Sequence, residues 1–158
     1  MPTAAIALGS NLSSNYGDRA ANLREAIRRV SALGPIRASS TFHDTAPVGY
    51  TEQPRFLNAA LLLETELEPV ALMRALLGIE REMGRDRASA SAPAKGPRII
   101  DLDLLLMDDA VLASPELTLP HPALAQRRFV LEPLAEIAPA MLDPQSGRTV
   151  GELLRALS

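Results

Sequence analysis

The chain has 158 residues, 47% of them hydrophobic, with a formal net charge of −3 and no cysteine. That length suits one domain, residues 1–158, able to bury a core of its own. The charge excludes a global field that would pull the chain toward nucleic acid, and the missing cysteine excludes disulfides, thiol chemistry and Cys-based zinc sites.

Only 3% of residues are aromatic, so Leu, Ile, Val and Ala must supply the core. "MPTAAIALGSNL" has no basic region of the kind that opens a signal peptide, and no stretch approaches a membrane span. The expectation is a soluble cytoplasmic protein. "TAAIAL" (3–8) reads as a buried strand stopped by "GSN". A helix is predicted over 18–33, with Leu23, Ile27 and Val30 on one face and Gly34-Pro35 ending it. Residues 36–44 read as a second strand and 45–54, rich in Pro and Gly, as a loop. A third strand covers 56–67, its odd positions apolar and its even positions beginning Phe56, Asn58.

Pro69 opens a second helix at a position proline tolerates. Val70, Met73, Leu76, Leu77 and Met83 are its expected apolar face, Glu80 lies off that face, and Gly84 closes it. Residues 85–98 are polar, small and flexible; neither side of them is large enough for an independent core, so they are not read as an interdomain linker. A strand follows over 98–107, then a turn at 108–116, "LTLPHP", a helical stretch near 123–137 and a last amphipathic helix from about Thr149. Strand, helix, strand, strand, helix, strand is the ferredoxin-like βαββαβ order. The expected class is α+β: a largely antiparallel sheet, helices on one face, the other face free for a ligand, and helical additions at the C-terminal end.

The run "GPRIIDLDLLLM" (96–107) sets two carboxylates in an apolar strand. Strand alternation turns Ile100, Leu102, Leu104 and Leu106 one way. Asp101 and Asp103 then project the other way, ~6.5–7 Å apart along the chain. Two anions so close repel, and a divalent cation relieves them; carboxylate oxygen is what Mg²⁺ prefers. The competing reading is a strand with one wet face that merely tolerates aspartate. Arg98 beside the pair, and Arg85, Arg87 and Lys95 in the loop before it, suit an anionic, metal-bound substrate such as a nucleoside polyphosphate. No G-x-x-x-x-G-K-[ST] occurs, so a P-loop is excluded.

Phe56 and Asn58 share a face by the same alternation: a ring to stack and an amide to pair, fitting a flat heterocycle. The plainer alternative is a core Phe and an Asn at the strand end. His121, held extended between prolines, suits phosphate or ribose contact, or is simply a surface-turn histidine. Arg127, Arg128 and Phe129 follow it, and either arginine is equally readable as a solvated helix residue.

Taken together, "ALGSNL", "TAPVG…QPRFLNAA", "IEREMGR", "GPRIIDLDLLL" and "LPHP…RRFVLEPLAEIAP" resemble the 6-hydroxymethyl-7,8-dihydropterin pyrophosphokinases of folate synthesis, in that family's order and over essentially the whole chain. The resemblance implies a ferredoxin-like α+β fold, a monomer, and transfer of pyrophosphate from ATP to the pterin hydroxymethyl group, giving AMP. It implies two Mg²⁺ ions held by Asp101 and Asp103. Phe56 and Phe129 would sandwich the pterin, Asn58 would bond its edge, and the backbone around Thr45, Ala46 and Val48 would complete the pocket. Arg85, Arg87 and Arg98 would meet the phosphates, and Arg127 and His121 the nucleotide. Leu104, Leu117 and Thr118 would border adenine, with Glu80 close to the nucleotide. Arg85, Arg98, Asp101 and Asp103 are thereby the expected catalytic set. One departure stands out: the family's basic residue and aromatic before "GPR" are Ala94 and Lys95 here, in a slightly longer loop. The alternatives are a catalytically silent pterin- or nucleotide-binding module on the same fold, and an RNA-binding sheet, which the chain's charge and lack of paired aromatics disfavour.

Overall fold

The computed structural model describes residues 1–45, 55–84 and 99–157. Among the described residues there are seven strands: β1 (Thr3–Ser10), β2 (Ile36–Ser39), β3 (His43–Thr45), β4 (Phe56–Glu64), β5 (Asp101–Met107), β6 (Leu112–Ala113) and β7 (Thr118–Leu119). Their helices are α1 (Arg19–Val30), α2 (Pro69–Glu82), α3 (Arg128–Ile137) and α4 (Val150–Arg155). β1 runs between β4 and β5, antiparallel to both, and the sheet order is β2-β4-β1-β5 with β3 also on β4. Counting β2 and β3 as one broken strand, this is the expected ferredoxin-like core. β6 and β7 form a separate small hairpin.

The break between β2 and β3 has a local cause. Ser40 donates its N–H to the Ala60 carbonyl, and its hydroxyl takes the Ala60 N–H at 2.9 Å. A side chain thus stands in for the ladder, and the single strand expected over 36–44 becomes two.

α1 begins where Asp18 caps it, accepting the Ala21 N–H at 2.9 Å. α2 begins with Pro69 in its first turn. Both pack on one face of the sheet, where Leu23, Val30, Leu72, Leu76 and Ile79 meet Ile6, Leu8, Leu61, Leu63, Leu102 and Leu104. The buried stripe of α2 is Leu72, Leu76, Ile79 and Glu80, with Met83 just beyond; Val70, Met73 and Leu77 are only half-buried. The expected stripe was therefore rotated, because Leu72 and Ile79 carry the contact that Val70 and Met73 were assigned.

The other face is not bare. Leu131 and Leu134 of α3, with Val150 and Leu153 of α4, cover Ala5, Ala60, Leu105 and Leu106. Helices on both faces correct the expectation of helices on one. Leu106 is a second correction. Ala5 faces Leu106 while Ile6 faces Leu104, so Leu105 is the extra residue of a bulge. Beyond the bulge the alternation flips, and Leu106 joins Leu105 under α3 instead of following Leu102 and Leu104. The apolar cluster on this face reaches Ala7, Ala60 and Phe129, and the polar residues Asn58, Asp101 and Asp103 follow beyond it along the strands. α3 is held down at its far end by Glu136, which accepts the Thr41 N–H at 2.8 Å and hydroxyl at 2.7 Å and pairs with His43 Nε2 at 2.9 Å.

Candidate active site

At the Ser10 end of β1, register brings the polar residues onto one face. Gly9 of β1 faces Asn58 on β4 and Asp101 on β5; two residues back, Ala7 faces Ala60 and Asp103. Residues opposed across strands project from the same face. Asn58, Asp101 and Asp103 therefore share it, and Phe56 joins them by alternation along β4. The closeness is direct: a Cβ built on Gly9 lies 2.9 Å from Asn58 Oδ1 and 3.5 Å from Phe56 Cδ1. Asn58 is buried at 7% exposure, whereas Phe56, Asp101 and Asp103 are half-exposed. An amide sits at the floor, a ring beside it, and two carboxylates at the mouth.

The segment after β7 closes over this end. The His121 N–H donates to the Leu105 carbonyl at 2.9 Å, and its Nδ1 accepts the Ala123 N–H at 3.2 Å. An accepting Nδ1 carries no proton, so the neutral ring presents Nε2–H as a donor. Burial lowers the His121 pKa; the positive charge of Arg127 lowers it further, and the negative charge of Asp101 opposes both. His121 is thus electrostatically in touch with both groups. The Arg127 guanidinium stands 5.8 Å from the ring centroid of Phe129. Phe129 enters the first turn of α3, half-buried against the cluster on the aspartate side of the sheet.

Glu80 is placed differently from expectation. It is 1% exposed, within the buried stripe of α2, and accepts the Leu102 N–H at 2.7 Å. Among the described residues β5 is the edge strand of the sheet, and a buried outward amide on an edge needs an acceptor from elsewhere. Glu80 supplies it between Asp101 and Asp103, from the helix side. Leu104 is 5% exposed on that same side, Leu117 packs against the same cluster, and Thr118 is exposed on β7. Leu104 and Leu117 lie away from the aspartate face. Thr45 ends β3 with Phe56 as its partner. Ala46, Val48, Arg85, Arg87, Ala94, Lys95 and Arg98 lie outside the described residues.

Two features escaped the sequence reading. Gly9 was expected in the "GSN" that stops the first strand, whereas β1 runs through it to Ser10. The Glu136 clamp had no signal, since its partners are some 95 residues away in sequence. "GSN" itself has a structural role in part: Asn22 of α1 donates to Ser10 Oγ at 3.2 Å and to the Leu12 carbonyl at 2.7 Å.

The donor set fits magnesium. Asp101 and Asp103 are oxygen ligands side by side on one open face. Among the described residues no group of three or more His, Cys, Asp or Glu side chains is placed to hold a metal. Coordination would then be completed by water and substrate oxygens, which is how Mg²⁺ is commonly held at phosphate sites.

Residues 5–139 match the family described as 7,8-dihydro-6-hydroxymethylpterin-pyrophosphokinase (HPPK). The chain is 43% identical over 148 residues to the 2-amino-4-hydroxy-6-hydroxymethyldihydropteridine pyrophosphokinase of Methylorubrum extorquens, covering 92% of this chain and 90% of that one. Identity to the Bacillus subtilis protein of the same name is 40% over 134 residues, covering 84% of this chain and 75% of that one. The folic acid synthesis protein fol1 of Schizosaccharomyces pombe is 38% identical over 149 residues; the match covers 93% of this chain but only 20% of that longer protein. In fold the chain resembles wild-type Plasmodium falciparum HPPK-DHPS crystallised with pteroate, with a TM-score of 0.74 at 15% identity. That likeness covers 98% of this chain and 42% of the larger one.

Proposed function

The chain belongs to the 7,8-dihydro-6-hydroxymethylpterin-pyrophosphokinase family, and from that premise we propose how it transfers pyrophosphate from ATP to 6-hydroxymethyl-7,8-dihydropterin in folate synthesis. The observation that carries the reading is the shared face of Asn58, Phe56, Asp101 and Asp103 across the Gly9 row. A buried amide and a ring suit a flat, hydrogen-bonding heterocycle, and the paired carboxylates beside them suit a metal-bound polyphosphate.

Asn58 bonds the pterin edge, while Phe56 and Phe129 take its two faces. The pterin hydroxymethyl oxygen bonds to the β-phosphorus as the bond from that phosphorus to the α–β bridging oxygen breaks. AMP leaves with the bridging oxygen, and the hydroxyl proton passes to solvent. Two Mg²⁺ ions, when bound, neutralise the triphosphate. Asp101 and Asp103 hold them, Arg127 and the Nε2–H of His121 bind nucleotide oxygens, and Arg85, Arg87 and Arg98 meet the phosphates in motion. Little covalent chemistry falls to the protein; positioning and charge stabilisation do the catalysis. Glu80 contributes by holding β5, and Leu104, Leu117 and Thr118 by bordering adenine. Ala46 and Val48, beside Thr45, complete the pterin pocket.

The protein is proposed to work as one domain, a cytoplasmic monomer. Coverage of nine-tenths of the Methylorubrum extorquens protein supports the single domain. The test is direct: mix the chain with ATP, Mg²⁺ and 6-hydroxymethyl-7,8-dihydropterin and measure AMP. AMP should appear only with all three present, and Asp101→Ala or Asp103→Ala should abolish it in folded protein. Both substrates binding without AMP would favour the silent module instead; full turnover in both variants would remove the aspartates from the mechanism.

A further inference from the structure

We propose that Gly9 is a positioning residue for pterin recognition, its missing side chain being the space in which the Asn58 amide lies. The inference deepens the pterin reading above and rests on it for its substrate.

Gly9 is the last residue but one of β1 and is paired on both sides, where a residue with no side chain adds nothing to the packing, so its presence needs a reason. Backbone conformation is not the reason: the glycines at positive φ are Gly17, Gly34, Gly84 and Gly147, and Gly9 is not among them. Space is the reason. A Cβ on Gly9 falls 2.9 Å from Asn58 Oδ1, closer than side-chain carbon and oxygen approach, with Phe56 Cδ1 and Cε1 next at 3.5 and 3.9 Å. The strands themselves are held by pairing on both sides, Gly9 to Asn58 and Gly9 to Asp101. What yields to an added methyl is the end of the Asn58 side chain. That amide is buried, so it cannot simply swing into solvent; it turns away from its aim. The fold survives, and recognition of the pterin edge is lost. Asp101, on the opposite side of Gly9, keeps its place, so the nucleotide half of the site is spared.

The experiment is a double-mutant cycle. Gly9→Ala, Asn58→Ala and the double variant are assayed for AMP formation, with KM for pterin and for ATP measured separately. Gly9→Ala should raise the pterin KM about tenfold, the scale of one hydrogen bond, with ATP KM changed by less than about twofold. In the Asn58→Ala background Gly9→Ala should change the pterin KM by less than about twofold, because the oxygen it would strike is gone. An equal penalty in both backgrounds, or a parallel rise in ATP KM, overturns the proposal. The side-chain amide resonances of Asn58, recorded without substrate, are the second readout. They should shift in Gly9→Ala while the melting temperature holds; unmoved resonances overturn the proposal. Absence of AMP from the unmodified chain would sink the functional reading instead, and the amide resonances would still decide whether Gly9 seats Asn58.

Discussion

Replacing Glu80 with alanine tests how β5 is held. The Leu102 N–H then loses an acceptor at 2.7 Å in a place where Glu80 is 1% exposed. Leaving a buried donor unsatisfied costs about 1–3 kcal/mol, and the truncated stem leaves a small void that adds about 1 more. The expected loss is therefore about 2–4 kcal/mol. With a urea slope of about 2 kcal/mol/M, the unfolding midpoint falls by about 1–2 M at unchanged slope. Glu80→Gln keeps an oxygen acceptor of the same reach and should lose less than half as much. Because Leu102 lies between Asp101 and Asp103, the turnover number should fall in the same order, alanine below glutamine below the parent. Urea titration followed by circular dichroism reads the stability. A Glu80→Ala midpoint within about 0.25 M of the parent would refute the reasoning, since about 0.5 kcal/mol is too little for an orphaned buried amide.

The Glu136 carboxyl is held down to about 2 from 4.5 by hydrogen bonds from Thr41 and His43. A depressed carboxylate stabilises the fold fully above its unfolded value and loses that contribution as pH falls from about 4.5 toward 2. Glu136→Gln should therefore be the less stable protein at pH 6 and converge with the parent near pH 2; parallel stability curves would contradict this. Leu131 is fully buried on the sheet-facing side of α3, and Leu131→Ala should cost about 2–5 kcal/mol in urea unfolding, with pterin affinity falling too because α3 carries Phe129. Phe56→Ala should raise the pterin KM about tenfold and leave the ATP KM nearly unchanged, as stacking is worth about 0.5–1.5 kcal/mol beyond its area.

Much of this was legible in the residues. The alternation of "FLNAALLLE" put Phe56 and Asn58 on one face and Leu61 and Leu63 on the other, and the strand obeys it. The "DLD" spacing put both aspartates together because period 2 holds as far as Leu104. It fails one residue later, where the bulge at Leu105 turns Leu106 to the opposite face; a bulge is set by the partner strand and leaves no mark in an all-leucine run. Glu80 was misplaced for a related reason. Helical periodicity treats a carboxylate as solvent-seeking, and the amide that draws it inward belongs to an edge strand 22 residues on. The α3 and α4 layer was visible as helices, but which face of the sheet they cover is tertiary information.

The central claim is that Asp101 and Asp103 together carry the metals of the bound nucleotide. Mn²⁺ binding followed by electron paramagnetic resonance, with a non-cleavable α,β-methylene ATP analogue present, tests it most directly. Two ions per chain should bind to the parent protein, and both Asp101→Asn and Asp103→Asn should lose at least one of them. Unchanged stoichiometry and affinity in both variants would contradict the account.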